Sequence, residues 1–147
     1  MTLQSEQPID LLAAVLQKHS RIIENEADLT PLFDRIGNAR VVLFGESTHG
    51  THQYYTARAH LSKRLIAEHG FDFIAVEGDW PDCYRVDDFV KGFDAKNTHA
   101  KDVLHDFQRW PTWMWANQEV VQFIDWLRQY NRYHLPAGFF GLDVYSL

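Results

Sequence analysis

Cysteine is nearly absent from this chain of 147 residues, which has only one, Cys83. A lone cysteine cannot form a disulfide within the chain, and no spacing of cysteine and histidine resembles a zinc finger. We therefore expect Cys83 to be a small buried hydrophobic residue and the protein to suit a reducing, cytoplasmic compartment. The first ten residues also lack the basic segment and the apolar stretch of a signal peptide.

Basic clusters and long apolar runs are missing from the sequence as well. The longest basic cluster is Lys63-Arg64 and the net charge is −6. These features argue against nucleic acid or an anionic membrane surface as a partner, because both need a basic face. No apolar run approaches the roughly 18 residues that span a bilayer. The oligomeric state is left open. The chain is 46% hydrophobic and 14% aromatic, which is enough for the core of one folded domain.

The N-terminal part of the sequence predicts two helices. Apolar residues recur at helical spacing over residues 9–23, which predicts an N-terminal helix. Residues 28–36 predict a short second helix, with Thr30 as its cap and Pro31 in its first turn.

The rest of the chain predicts an alternation of strands and helices. Continuous apolar runs predict buried strands, and helical spacing predicts further helices. The strands fall at 41–44, 73–76 and 138–142, and the helices at 53–69, 82–90, 100–107 and 117–133. This order predicts an α/β fold with parallel-sheet βαβ units and flanking helices, divided into a helical lead-in over 1–39 and a βαβ core over 40–147. Because sheets usually have roughly four to six strands, we expect an incomplete portion of a larger α/β domain.

Acidic side chains follow each predicted strand. Glu46 and His49 come after the first, Glu77 and Asp79 after the second, and Asp143 after the third. Parallel strands would bring these groups to one edge of the sheet, where ligands bind in α/β proteins. Crowded carboxylates raise each other's pKa, which suits acid–base chemistry or a cation. Each acid can instead simply cap the helix that follows it.

His49 is the strongest candidate for a general base, because it lies in a glycine-flanked turn and Glu46 can orient its ring. Ser47 resembles the nucleophile of a Gly-x-Ser-x-Gly elbow, but His49 stands where the second glycine should be. His52 forms a His-x-x-His pair with His49, which is a weak metal signal. A structural role for His52 fits this pattern better.

Arg58 lies within the apolar stripe of the predicted helix 53–69, which contains Tyr54, Leu61 and Leu65. A guanidinium there can reach the strand ends and bind a carboxylate or an oxyanion, or it can form a buried ion pair with Glu46 or Glu77. The aromatic cluster at 110–115 favours core packing over a stacking platform for a sugar or macrocycle.

Several motifs in a fixed order resemble the erythromycin esterase-like family, over a stretch from about Val41 to the last residue. The matching residues are Arg58 and the segments Gly45-Glu46-Ser47-Thr48-His49-Gly50-Thr51-His52, Val76-Glu77-Gly78-Asp79-Trp80-Pro81-Asp82, Pro111-Thr112-Trp113-Met114-Trp115 and Phe140-Gly141-Leu142-Asp143-Val144-Tyr145-Ser146-Leu147. Members of this family are α/β hydrolytic enzymes. The erythromycin esterases hydrolyse the macrolide lactone, which links the family to the response to antibiotic. Family domains are much longer than this chain, and their site also uses a histidine from the later part.

The resemblance implies roles for individual residues. It makes His49 the general base that activates water, Glu46 and Glu77 its acidic partners, and Arg58 the family's arginine. The implied substrate is a small-molecule ester, with no cofactor. We also expect four residues to contact the substrate, namely Asp79, Asp143, His52 and Trp113.

Two alternatives are left open. In the first, the protein is a metal-dependent hydrolase of unknown substrate that uses Glu46, His49 and Glu77, together with Asp143, as ligands. In the second, the chain is an inactive fragment.

Overall fold

The computed structural model describes residues 8–46, 48–108 and 112–146. The chain divides into two compact units, Met1–Val42 and Leu43–Leu147. Within the described residues, no helix is long and apolar enough to cross a membrane.

The described part of the first unit is helical, as the sequence predicts. It contains α1 (Pro8–His19), a 3₁₀ helix (Glu26–Leu29) and α2 (Thr30–Ile36). The prediction of one helix over 9–23 is wrong beyond His19, because the chain leaves the helical conformation at residue 20.

The start of α2 also differs from its prediction. Thr30 is the first residue of this helix rather than its cap, and the N-cap position belongs to Leu29, which makes no side-chain capping bond. The physical reason is the preceding 3₁₀ helix, which leads straight into α2. That 3₁₀ helix has its own capping box, in which the Asn25 side chain accepts a hydrogen bond from the Ala27 N–H and Asp28 accepts one from the Asn25 N–H. The prediction of Pro31 in the first turn is confirmed.

The second unit contains four helices, two strands and a short 3₁₀ turn among its described residues. The elements are α3 (His52–His69), β1 (Phe73–Asp79), α4 (Trp80–Val90), α5 (Ala100–Leu104), the 3₁₀ turn (Thr112–Met114), α6 (Gln118–Asn131) and β2 (Gly138–Asp143). The predicted helices at 53–69, 82–90 and 117–133 are therefore confirmed within a few residues. The predicted helix at 100–107 is shorter than expected, since α5 ends at Leu104.

β1 and β2 pair in parallel, from Phe73 opposite Gly138 to Asp79 opposite Asp143. The register slips between Val76 and Asp79. The core of this unit lies among α3, α4, α5, α6 and β2, and its most deeply buried side chains include Phe89, Leu127 and Phe139. The α/β class and the parallel pairing that the sequence predicts are confirmed.

The predicted first strand, Val41–Phe44, is wrong. These residues are not in a strand, and Val41 and Leu43 are 71% and 88% exposed. Among the described residues the sheet has two strands, so the second edge of β1 has no partner there. An apolar run becomes a strand only when another segment accepts its backbone hydrogen bonds, and a local pattern does not specify that segment.

The buried face of α3 differs from its prediction at Tyr54, whereas Leu65 is buried as predicted. Tyr54 is 45% exposed, whereas Tyr55 is buried, together with Ser62, Leu65 and Ile66. One residue corresponds to a rotation of about 100° around the helix. Arg58 lies three residues after Tyr55, so it still falls on the buried side.

Asp87 is a buried charge that joins α4 to β2. Its carboxylate accepts hydrogen bonds from the Phe139 N–H at 2.9 Å and from Lys91 Nζ at 2.7 Å. Because both a backbone donor and a cation satisfy the carboxylate, α4 can bury it against the strand.

Cys83 is fully buried in α4, as predicted, and burial raises the pKa of its thiol to about 12. The thiol should not react with thiol reagents at pH 8 in the folded chain and should react on unfolding. Above about pH 9 the unfolded chain loses a proton that the folded chain keeps. The free energy of unfolding should then fall by up to about 1.4 kcal/mol per pH unit.

The measurement is urea denaturation between pH 8 and pH 11, compared with Cys83→Ala, which lacks this slope. Equal slopes in the two proteins would contradict the shifted pKa.

Candidate functional site

Glu46 lies between His49 and Arg58 and binds both. One carboxylate oxygen contacts His49 Nδ1, and the other accepts a hydrogen bond from Arg58 Nη1 at 2.6 Å. The Glu46 side chain is 11% exposed and that of His49 is 40% exposed. The predicted orientation of His49 by Glu46 is therefore present, and the ion pair proposed for Arg58 forms with Glu46.

A tight turn brings these three side chains together. Gly50 has φ +81°, a conformation that L side chains rarely adopt, and the chain enters α3 two residues later. The Gly50 N–H donates to the Tyr55 hydroxyl at 3.3 Å. A Cβ at Gly50 would lie 3.2 Å from the Trp113 ring. Glycine thus suits both the backbone and the aromatic contact at this position, and Arg58 follows on the buried side of α3.

Arg58 is held between two aromatic rings. Its guanidinium carbon lies 4.8 Å from the centroid of the Tyr55 ring and 5.5 Å from that of Trp115. Such contacts orient a guanidinium as well as stabilise its charge. Within the described part of the chain, Arg58 Nη2 is buried and has no hydrogen-bond partner. This atom is a donor that a bound group could use.

An open cleft of about 400 Å³ lies beside this cluster. Its lining consists of Gly50, His52, Tyr55, Trp113, Asn117 and Glu119. Trp113 also makes an edge-to-face contact with the His49 ring, with the ring centroids 6.1 Å apart. Trp113 is 44% exposed, so it is part of the accessible wall of the cleft rather than of the core.

His52 and Glu119 form a second histidine–carboxylate pair, on the wall of the cleft. His52 Nδ1 contacts a Glu119 carboxylate oxygen, which joins the start of α3 to the start of α6. This hydrogen bond is the main cause that lowers the pKa of Glu119, with a further contribution from the residue's own backbone N–H. His49 and His52 therefore bind different carboxylates.

The acids that the sequence analysis placed after the second and third strands lie within the C-terminal ends of β1 and β2, and their surroundings differ. The Glu77 side chain is exposed, while its backbone carbonyl accepts a hydrogen bond from Trp115 Nε1 at 2.8 Å. Asp79 is buried and accepts hydrogen bonds from the Tyr145 N–H, at 3.0 Å, and from the Ser146 hydroxyl.

Asp143 is the neighbour of Asp79 across the sheet. Its Oδ2 is buried and has no hydrogen-bond partner in the part of the chain that the structure describes.

The structure brings together only some of the residues predicted at the strand ends. Glu46, His49 and Arg58 are in contact, and Asp79 and Asp143 are paired across the sheet. Glu77 connects to the first group through its backbone and Trp115. Ser47 and the residues at 109–111 lie outside the described residues. Across residues 8–46, 48–108 and 112–146, no three His, Cys, Asp or Glu side chains form a group that could hold a metal ion.

Two residues of this region were not singled out by the sequence. Tyr55 has a local signal, because it precedes Arg58 by one helical turn and shares its face. Glu119 has no such signal, because its partner His52 is 67 residues away in the chain.

The model of the family described as erythromycin esterase matches residues 66–147. The chain is 22% identical over 136 residues to a Bacillus subtilis (strain 168) protein named "Putative hydrolase YbfO", covering 90% of this chain and 29% of that protein. It is 25% identical over 122 residues to erythromycin esterase type II of Escherichia coli, covering 82% of this chain and 27% of that protein.

Two solved structures are similar. One is described as a succinoglycan biosynthesis protein, with 28% identity and a TM-score of 0.68, covering 87% of this chain and 30% of that one. The other is a Bacillus cereus protein, with 26% identity and a TM-score of 0.71, covering 91% of this chain and 33% of that one.

The matched family region begins inside α3, after Arg58, and includes β1 and β2 with the acids at their C-terminal ends. The chain spans about a third or less of the length of each of these four relatives. Since the family model matches more than half of the chain, this protein belongs to the erythromycin esterase family.

Proposed function

We propose that the complete protein carrying this sequence is a hydrolase in which His49 activates a water molecule to attack a carboxylic ester. The observation that carries the proposal is the bridge that Glu46 forms between His49 Nδ1 and Arg58 Nη1. It couples a base to a cation beside an open cleft. The relatives named as an esterase and as a hydrolase support the same class of reaction.

The bridge supports Nε2 as the nitrogen of His49 that acts as the base. An ionised carboxylate can only accept a hydrogen bond, so the neutral ring carries its proton on Nδ1. The lone pair then lies on Nε2, which takes a proton from water as the water oxygen attacks the ester carbonyl. Glu46 also stabilises the imidazolium that results, as the acid does in a Ser-His-Asp triad.

Arg58 supplies the positive charge for the other half of the step. Attack of water places negative charge on the carbonyl oxygen, and a fixed donor is most effective where that charge develops. Arg58 Nη1 is occupied by Glu46, while Nη2 is buried and has no partner among the described residues. We assign Nη2 to the oxyanion.

The cleft supports a small-molecule ester as the substrate. Its volume of about 400 Å³ is within the usual range of small-ligand sites, and Trp113 and Tyr55 give it aromatic walls. A macrolide lactone is one such ester, and the relative named erythromycin esterase type II makes it the first to test. Glu77, Asp79 and Asp143 stay candidates for substrate contacts from the strand ends.

The test is a panel of macrolides and simple aliphatic esters, incubated with the complete protein and followed by mass spectrometry. Hydrolysis adds one water to a lactone and splits an open ester into an acid and an alcohol. We expect at least one member of the panel to react. If an ester reacts but no macrolide does, the hydrolase proposal stands and the link to antibiotics falls. A folded protein that hydrolyses no ester overturns the proposal.

Measuring activity after treatment with a chelator distinguishes the metal-dependent alternative from the proposed mechanism. We expect activity to survive prolonged treatment with a chelator, because the proposed base is bound to a carboxylate and an arginine supplies the charge. Loss of activity that a divalent cation restores would favour the metal-dependent hydrolase instead.

A further inference from the structure

The pair His52–Glu119 repeats the geometry of His49–Glu46 within the same second unit. In both pairs the histidine presents Nδ1 to a carboxylate oxygen of glutamate. The two histidines are separated by two residues, at the turn where α3 begins. Trp113 connects them in space, since its ring contacts His49 and lines the cleft together with His52.

The accessible nitrogen of His52 is Nε2. The His52 side chain is 67% exposed, against 20% for Glu119, and its Nδ1 is the atom engaged by the carboxylate. Among the described residues, no hydrogen bond or ion pair engages Nε2. The hydrogen bond with His52 lowers the pKa of Glu119, and a carboxylate at this position can balance the charge of a doubly protonated ring. That ring carries its second proton on Nε2, at the wall of the cleft.

We propose that His52 is the general acid that protonates the leaving alcohol, while His49 is the base that activates water. This assignment rests on the proposed function and adds a second catalytic residue to it. It also places the alcohol part of the ester in the cleft, because His52, Trp113 and Glu119 line that space.

The rings of His49 and His52 together account for every proton that moves in the reaction. His49 Nε2 takes a proton from water as the new carbon–oxygen bond forms and the carbonyl electrons move to oxygen. When the carbonyl re-forms, the bond to the leaving oxygen breaks, and that oxygen takes its proton from His52 Nε2. Proton exchange with solvent then deprotonates His49 and reprotonates His52. The net change is one ester and one water converted to one acid and one alcohol.

A separate acid is most useful for a poor leaving group. An alkoxide is strongly basic, so its expulsion gains greatly from protonation, whereas a nitrophenolate leaves readily without a proton. A residue that only maintains the shape of the cleft would affect both kinds of ester alike. The dependence of the rate loss on the leaving group therefore distinguishes a catalytic role of His52 from a structural one.

The experiment compares His52→Ala with the unchanged complete protein on two esters of the same acid, one alkyl and one p-nitrophenyl. We expect kcat/KM to fall by about 10²-fold for the alkyl ester and by less than about threefold for the p-nitrophenyl ester. Glu119→Gln keeps the ring but removes the charge of its partner, and should show the same pattern with a smaller loss. His105→Ala, at an exposed histidine after α5, is the matched control and should leave both rates unchanged.

Equal losses on the two esters, or no loss on either, would overturn the assignment of His52. If circular dichroism shows that His52→Ala does not fold, the test uses Glu119→Gln instead. The loss of kcat/KM on the alkyl ester is then compared with the loss on the p-nitrophenyl ester. Failure of the proposed function looks different, because the unchanged protein would then hydrolyse neither ester, or His49→Ala would be fully active.

Discussion

Replacing His49 with alanine is expected to lower kcat for ester hydrolysis by about 10²- to 10⁴-fold, the usual contribution of a positioned general base. The loss should appear in kcat because proton transfer occurs in the transition state rather than on binding. KM should change less than kcat. Steady-state kinetics of the complete protein provides both numbers.

Two controls define that result. Circular dichroism shows whether His49→Ala keeps the fold, and added imidazole should restore part of the lost rate if only a base is missing. A folded His49→Ala variant with an unchanged kcat would remove His49 from the mechanism. Preserved kcat with a large rise in KM would instead assign the ring to binding.

Replacing Gly141 with alanine should strongly destabilise the folded chain. A Cβ there would lie 2.4 Å from the Gly78 carbonyl oxygen and 2.9 Å from that of Asp79. Both obstacles are backbone atoms of the neighbouring strand, so no side-chain rotation relieves the clash. The two strands must separate where the register slips, and we expect a cost of about 3 kcal/mol in the free energy of unfolding.

Gly45→Ala is the matched control for this substitution. Gly45 has no atom within 4 Å of an added Cβ, and its φ is not in the left-handed region. Its free energy of unfolding should stay within about 0.5 kcal/mol of the unchanged chain. Urea denaturation of the 147-residue chain compares the two. A Gly141→Ala chain as stable as Gly45→Ala would contradict the close approach of β1 and β2.

The elements that the sequence predicted best are those with a strong local pattern. The helix at α6 has apolar residues on one face and a capping asparagine, and its predicted start lies within one residue of Gln118. The helix α3 ends at His69, as predicted, and Gly70 follows it in the left-handed conformation. In such segments short-range preference and long-range packing favour the same structure.

The failures occurred where distant residues decide the outcome. Val41–Phe44 has the composition of a buried strand, but a strand needs a hydrogen-bonded neighbour, and the described residues provide none. Within α3 the sequence prediction placed Tyr54 on the buried face, although its neighbour Tyr55 also fits the apolar spacing. Packing against the core, which involves α6, selects Tyr55.

The candidate site shows the same difference between contacts that are local in sequence and contacts between distant residues. Glu46, His49 and Arg58 are near in sequence, so a turn followed by a helix was enough to suggest their contact. The pairing of His52 with Glu119 and the bond from Trp115 to the Glu77 carbonyl join residues 67 and 38 positions apart. No spacing rule predicts such contacts, because they depend on how α3, α6 and β1 pack. The structure therefore adds the wall of the cleft to a base that the sequence had already suggested.

The position of the proton on the neutral His49 ring shows whether Glu46 leaves Nε2 free to activate water. With ¹⁵N-labelled histidine, NMR reports which ring nitrogen carries the proton in the neutral form. We expect a proton on Nδ1 and a lone pair on Nε2, with Glu46 as the acceptor of the Nδ1–H bond. Glu46→Gln should weaken that preference and mix the two tautomers. A neutral His49 ring protonated on Nε2 would contradict the proposed mechanism, because the nitrogen assigned to activate water would then have no lone pair to offer.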